Sequence, residues 1–151
     1  MKITFLGTAA AEGMPALFCN CEYCKEARKR GGKNIRTRSQ SLINDDLLID
    51  FTADSYMHSI KHNIDLSKID TLLVTHSHSD HFYPKGFESL KHSGKKINLV
   101  ANENVKSILD KTVPKYELSL NRFIIAEDYT PIKLGRYTVT SLPAYHALEK
   151  V

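Results

Sequence analysis

Tryptophan is absent from the 151 residues, and cysteine is reduced to three, all within six positions: Cys19-Asn-Cys21-Glu-Tyr-Cys24. An odd, clustered set excludes the dispersed, even-numbered disulfide framework that closes long loops in small secreted domains. Long hydrophobic runs are also missing. None approaches the ~20 residues a bilayer helix needs, which excludes a transmembrane span and any membrane partner that depends on one. The start, Met1-Lys2-Ile3-Thr4-Phe5-Leu6, meets Gly7 before the apolar core of a signal peptide can develop. The expected compartment is the cytoplasm. Repeats, low-complexity tracts and Pro/Ser linkers are lacking too, and the length leaves room for one domain of about 100 to 200 residues.

Charge is modest overall, at +4, but unevenly placed. Lys25, Arg28, Lys29, Arg30, Lys33, Arg36 and Arg38 are offset only by Glu26 between positions 25 and 38, so that stretch holds +6 and the rest of the chain −2. A local basic segment attracts phosphate-bearing ligands, although a solvated surface is its commoner fate.

The pattern of elements reads as α/β with mixed strand directions. Lys2 to Leu6 alternates like a strand and runs into a loop of small and turn-forming residues, Gly7 to Pro15. A polar helix is expected over Glu22 to Arg30. Ser41–Ile43 and Leu47–Phe51, separated by Asn44-Asp45-Asp46, predict an antiparallel hairpin. Ala53 to His62 has helical periodicity, with Met57, Ile60 and then Ile64 expected toward the core and His58, His62 and, further on, His92 on the surface. Thr71 to Thr75 reads as a strand buried on both faces. A short helix at Pro84–Lys91, a strand at Ile97–Ala101 and a helix capped by Asn102 follow. Strands at Arg122–Ala126, Thr130–Leu134 and Tyr137–Leu142 complete the series, the last two joined by a Gly135-Arg136 turn.

Chemistry concentrates in His76-Ser77-His78-Ser79-Asp80-His81, directly after the Thr71–Thr75 strand. In extended backbone, residues two apart point the same way, so His76 and His78 can converge on one cation. Asp80 and His81 fall on the following turn, where a carboxylate and an imidazole can serve a second cation. Such N and O donors suit zinc, manganese or iron. Three histidines and an aspartate in six positions are hard to attribute to chance placement on a surface loop. The cysteine triplet has the spacing of a structural zinc site that takes its fourth ligand elsewhere; idle thiols and a redox role are the weaker readings.

The hexapeptide has the H-x-H-x-D-H form of the metallo-β-lactamase superfamily, and the chain resembles that family along its length. Its parts come in the family's order: Phe5-Leu6-Gly7-Thr8, then Leu48-Ile49-Asp50, then the His/Asp motif, then Leu142-Pro143-Ala144-Tyr145-His146. The resemblance implies an αββα sandwich in which His76, His78 and His146 hold one metal while Asp80 and His81 help to hold the other. It places Asp50 behind the ligands, orienting the motif loop, and lets Asp80 also orient the hydroxide that two metals share. Two divalent ions, Zn or Mn, are implied at the centre, with one structural Zn at Cys19, Cys21 and Cys24. The cysteine spacing looks like the branch related to the phosphodiesterase of the bacterial carbon-phosphorus lyase pathway.

That family completes its centre with a later bridging aspartate and a last histidine. Residues 1–151 are therefore expected to be the N-terminal part of a single domain, an incomplete centre whose turnover in isolation is doubtful. The activity expected for the whole is metal-dependent hydrolysis of a small cyclic or nucleotide-like phosphodiester. The alternatives are an RNA-processing endonuclease, a thioester hydrolase, a lactamase, or a metal-stabilised binding module without catalysis. A small phosphodiester substrate is the expected partner, nucleic acid is less favoured, and a homodimer stays open.

Overall fold

The computed structural model describes residues 1–146 and 149–150, with the backbone alone at 146, 149 and 150. Six strands form one sheet in sequence order: β1 (Ile3–Gly7), β2 (Gln40–Ile43), β3 (Leu47–Ile49), β4 (Thr71–Leu73), β5 (Ile97–Ala101) and β6 (Leu120–Ile125). The first three pair antiparallel, β2 with β3 because the Asn44-Asp45-Asp46 turn between them is too short for anything else. From β3 to β6 the pairing is parallel, each step closed by a crossover. Leu48, Leu72 and Leu99 lie side by side in that parallel register.

These leucines face the main core. Leu6, Leu42, Val74 and Ala101 join them from the sheet, and Val105, Leu109, Phe82 and Phe87 come from the layer above it. Helix α1 (Glu22–Arg30) has the predicted limits. Helix α3 (Glu103–Thr112) starts where Asn102 accepts a hydrogen bond from the Val105 N–H at 3.1 Å, which satisfies one of the donors exposed at a helix start. Pro84–His92 is a 3-10 segment rather than an α-helix, entered through Pro84. No helix among the described residues is long and apolar enough to cross a membrane.

Helix α2 (Ser55–Lys61) corrects the expected orientation. Met57 and Ile60 are more than half exposed, and the buried positions are Ser55 and His58. His58, expected on the surface, is 1% exposed, whereas His62 is half-buried and His92 exposed. The cause is polar: Gln40 is buried at the start of β2, and α2 turns Ser55 and His58 inward to satisfy its amide. A buried polar group without a partner costs about 1–3 kcal/mol, and with Ser55 and His58 turned inward none of the Gln40 amide's polar atoms is left unpaired.

On the opposite sheet face lies the hairpin of β7 (Pro131–Leu134) and β8 (Tyr137–Thr140), turned at Gly135. It is tied to the β2–β3 turn by the Tyr137 hydroxyl, which donates to Asp46 and accepts from the Asn44 amide, and by the Arg136–Asp46 ion pair at 2.8 Å. Leu47 and Val100 are buried on this face, while Ile3 and Phe5 at the β1 edge stay exposed. A short pair, β9 (Tyr145–His146) with β10 (Glu149–Lys150), follows.

At Gly7, the last residue of β1, a Cβ would collide with the Arg38 carbonyl oxygen, so only glycine fits. The loop after it then binds the basic segment, with the Thr8 and Ala9 N–H groups both donating to the Thr37 carbonyl. The small-residue loop and the basic stretch are thus physical neighbours.

Candidate metal centre

The His/Asp motif leaves the carboxyl end of β4, next to the end of β3, the position in a parallel sheet where ligand sites are usual. Asp50 stands at that boundary in the left-handed region, with φ +64° and 3% exposure. Its N–H continues the ladder by donating to the Leu73 carbonyl at 2.7 Å. Its carboxylate then collects three donors. Oδ1 accepts from the Thr75 N–H at 2.9 Å and the Thr75 hydroxyl at 2.8 Å, and Oδ2 accepts from His81 Nδ1 at 2.7 Å.

Because the Thr75 hydroxyl donates to Asp50, its oxygen must accept from His76 Nδ1, 3.1 Å away. His76 and His81 therefore both carry a proton on Nδ1, which leaves Nε2, the nitrogen through which a neutral imidazole so held binds a cation, on the side of each ring away from Thr75 and Asp50. Asp50 raises the His81 pKa, chiefly through the hydrogen bond, so a cation must compete there with a proton.

The structure brings His76, His78, Asp80 and His81 together. The His76 ring lies 4.7 Å from that of His78 and 4.2 Å from that of His81, centre to centre, and Asp80 Oδ2 is 3.5 Å from His81 Nε2. His76 is buried; the other three are partly exposed. His146 is placed only by its backbone in β9, and its side chain lies outside the described residues. The apolar cavity of about 410 Å³ between α2 and the Pro84–His92 segment includes none of the clustered histidines.

The second cluster is tighter. Cys19, Cys21 and Cys24 are, among the described residues, the set whose donor atoms all lie within 4.8 Å of one another. Arg28, from α1, donates to the Ala16 and Cys19 carbonyls and so fastens the cysteine loop to its helix. The Cys24 main-chain N–H, with the Cys19 and Cys24 thiols, lowers the Cys21 pKa to about 7. Cys24 accepts from the Ala16 N–H, which lowers its pKa, but the neighbouring thiols and burial raise it further and leave it above the ordinary value. Alkylation by iodoacetamide at pH 7 is expected to reach Cys21 well before Cys24, and to accelerate as pH rises through about 7. Mass mapping of the peptides reads the order; equal rates would contradict the assignment.

Sequence reasoning missed Thr75, Gln40 and Thr37, which hold the motif from behind. Their signal is weak, since each is an ordinary polar residue whose partners lie far along the chain.

The sequence profile of the Beta-lactamase superfamily domain matches residues 46–150, and the chain belongs to that superfamily. Ribonuclease Z of Staphylococcus saprophyticus is 27% identical over 128 residues, 80% of this chain and 37% of the relative. Ribonuclease Z of Staphylococcus epidermidis is 25% identical over 126 residues with the same coverage. Among solved structures, a diphosphatase from the PhnP family superposes with a TM-score of 0.77 at 24% identity, over 98% of this chain and 59% of that one. Zn2+-bound PqqB from Methylobacterium extorquens gives 0.68 at 20% identity, over 87% and 51%. The fold is thus the metallo-β-lactamase type, and the six-stranded sheet with its outer helices is about half of it. The chain spans a little over a third of the length of the curated relatives it matches.

Proposed function

We propose that the chain carries the metal-binding half of a metal-dependent hydrolase acting on a small cyclic or nucleotide-like phosphodiester. One observation carries the reading: three imidazoles and a carboxylate gather at the end of β4, and Asp50, directly for His81 and through Thr75 for His76, holds two of the rings by Nδ1. That donor chemistry fits divalent zinc or manganese. His76 and His78 would hold one ion, with His146 as the third ligand implied by family order; Asp80 and His81 would hold the other. When bound, such a pair supplies Lewis acidity toward a phosphoryl oxygen and lowers the pKa of a coordinated water.

The chain's own residues then have separate tasks. Asp50 keeps His81 and, through Thr75, His76 in the ligating tautomer. Asp80 offers a carboxylate oxygen beside His81 from which an attacking water can be oriented. In the basic segment Arg28, Arg30 and Arg38 are engaged by the Ala16 and Cys19 carbonyls, Glu26 and Asp54. Lys25, Lys29, Lys33 and Arg36, all exposed, are the cations of the segment we assign to offset substrate charge. Cys19, Cys21 and Cys24 would hold a structural zinc, whose fourth ligand the sequence places elsewhere.

A second reading, an RNA-processing endonuclease, is favoured by the Ribonuclease Z relatives. The test is a substrate panel with the zinc- or manganese-loaded protein: an aryl phosphodiester, a nucleoside cyclic phosphate, a structured tRNA precursor, a thioester and a lactam. Turnover of the first two supports the proposal, and cleavage of the RNA alone supports the second reading. Activity confined to the thioester or lactam would sink both.

A further inference from the structure

Asp50 holds an unusual backbone conformation, and something must keep it there. A left-handed residue other than glycine is disfavoured and persists only where its surroundings determine it. The N–H of Asp50 is fixed by β4, and its carbonyl accepts from Gln40 Nε2 at 2.9 Å. Gln40 is 2% exposed, so no water replaces that donor.

The Asp50 carbonyl can only accept, so the Gln40 atom beside it is the amide nitrogen. The same nitrogen lies 2.8 Å from the Ser55 hydroxyl, which itself donates to the Thr52 carbonyl at 2.7 Å and therefore accepts from Gln40. Both amide hydrogens are thereby spent. The Gln40 oxygen faces His58 Nδ1 at 2.6 Å, so that nitrogen must carry a proton. His58 Nε2 then accepts from the Thr37 hydroxyl at 2.7 Å. Burial lowers the His58 pKa, in keeping with this neutral ring. The chain of bonds runs from Thr37, which the Gly7–Pro15 loop also grips, through His58 and Gln40 to Asp50, and from there to Thr75 and His81.

We propose that Gln40, oriented by His58, is a positioning residue for the candidate metal centre: by pinning the Asp50 carbonyl it fixes the turn that aims the Asp50 carboxylate at Thr75 and His81. The consequence for cation binding rests on the function proposed above; the consequence for the His81 hydrogen bond does not. Loss of a partner that orients a ligand histidine typically weakens metal binding by about 10- to 100-fold.

The experiment uses the whole 151-residue chain, labelled with 15N. In metal-free wild type, the His58 ring shifts should show a neutral Nδ1–H tautomer, and the His81 Nδ1–H should be slow to exchange. An Nε2–H tautomer at His58 would reverse the amide and overturn the proposal without any variant. In Gln40→Met the protected His81 signal should be lost, and zinc affinity, followed on the rings of His76, His78 and His81, should fall by about 10- to 100-fold. Asn102→Ala, which destabilises the remote α3 cap, should lower Tm yet leave signal and affinity as in wild type. A folded Gln40→Met with both unchanged would refute the positioning role. Should the wild-type rings bind no zinc, the metal reading fails, while the His81 signal still decides the role of Gln40.

Discussion

Replacing Asp80 by alanine is expected to reduce metal-dependent hydrolysis of an aryl phosphodiester by about 10³-fold or to background, with the fold retained. Lewis-acid stabilisation is worth several kcal/mol, and each ~1.4 kcal/mol is a factor of ten in rate. The fold should survive because Asp80 lies in the loop after β4, outside the core, with its carboxylate 3.5 Å from His81 Nε2. The same variant should lose zinc-induced shifts at the His81 ring more than at His76 and His78. Full turnover in Asp80→Ala would mean that the chemistry sits elsewhere.

Leu99→Ala is the largest expected loss of stability. Leu99 is completely buried in β5 between two parallel neighbours, opposite Leu72 on one side and Phe123 on the other. Removing it forfeits transfer free energy and leaves a cavity under α3, a combination that costs about 2–5 kcal/mol. Denaturant unfolding should show the midpoint drop at unchanged slope, the signature of lost stability rather than altered compactness. A shift below about 1 kcal/mol would indicate that the sheet collapses onto the vacancy, as poorly packed sites can.

How far these elements could be read in advance depends on how local their causes are. Helix α1 and strand β5 have the predicted limits because their own residues set them, and the α3 start is written in Asn102. The hairpins follow from Asn44-Asp45-Asp46 and Gly135-Arg136. The face of α2 could not be read that way. Apolar periodicity pointed Met57 and Ile60 inward, but Gln40, fifteen residues before Ser55, demanded polar company. The 3-10 form of Pro84–His92 is equally a packing outcome: a Cβ on Gly86 would stand 2.5 Å from the Phe51 ring, so the segment is pressed against the end of β3.

The candidate centre divides along the same line. His76, His78, Asp80 and His81 were legible because their spacing is itself the signal. Asp50 was legible only through family order, and Thr75, Gln40 and His58 act through bonds between residues distant in sequence.

That distance has a consequence in time. Thr75 reaches back 25 residues to Asp50, and His81 reaches back 31. The hexapeptide's own turn, in which the His81 and Phe82 N–H groups donate to the His78 carbonyl, does not fix the His81 ring, which waits on Asp50 until β3 and β4 lie side by side and the α2 crossover has closed. Closing such a loop costs chain entropy before any long-range contact repays it, so contacts of this kind tend to form late. A nascent or locally opened chain would display the same four side chains without the preset tautomers, and so without their readiness to take up a cation.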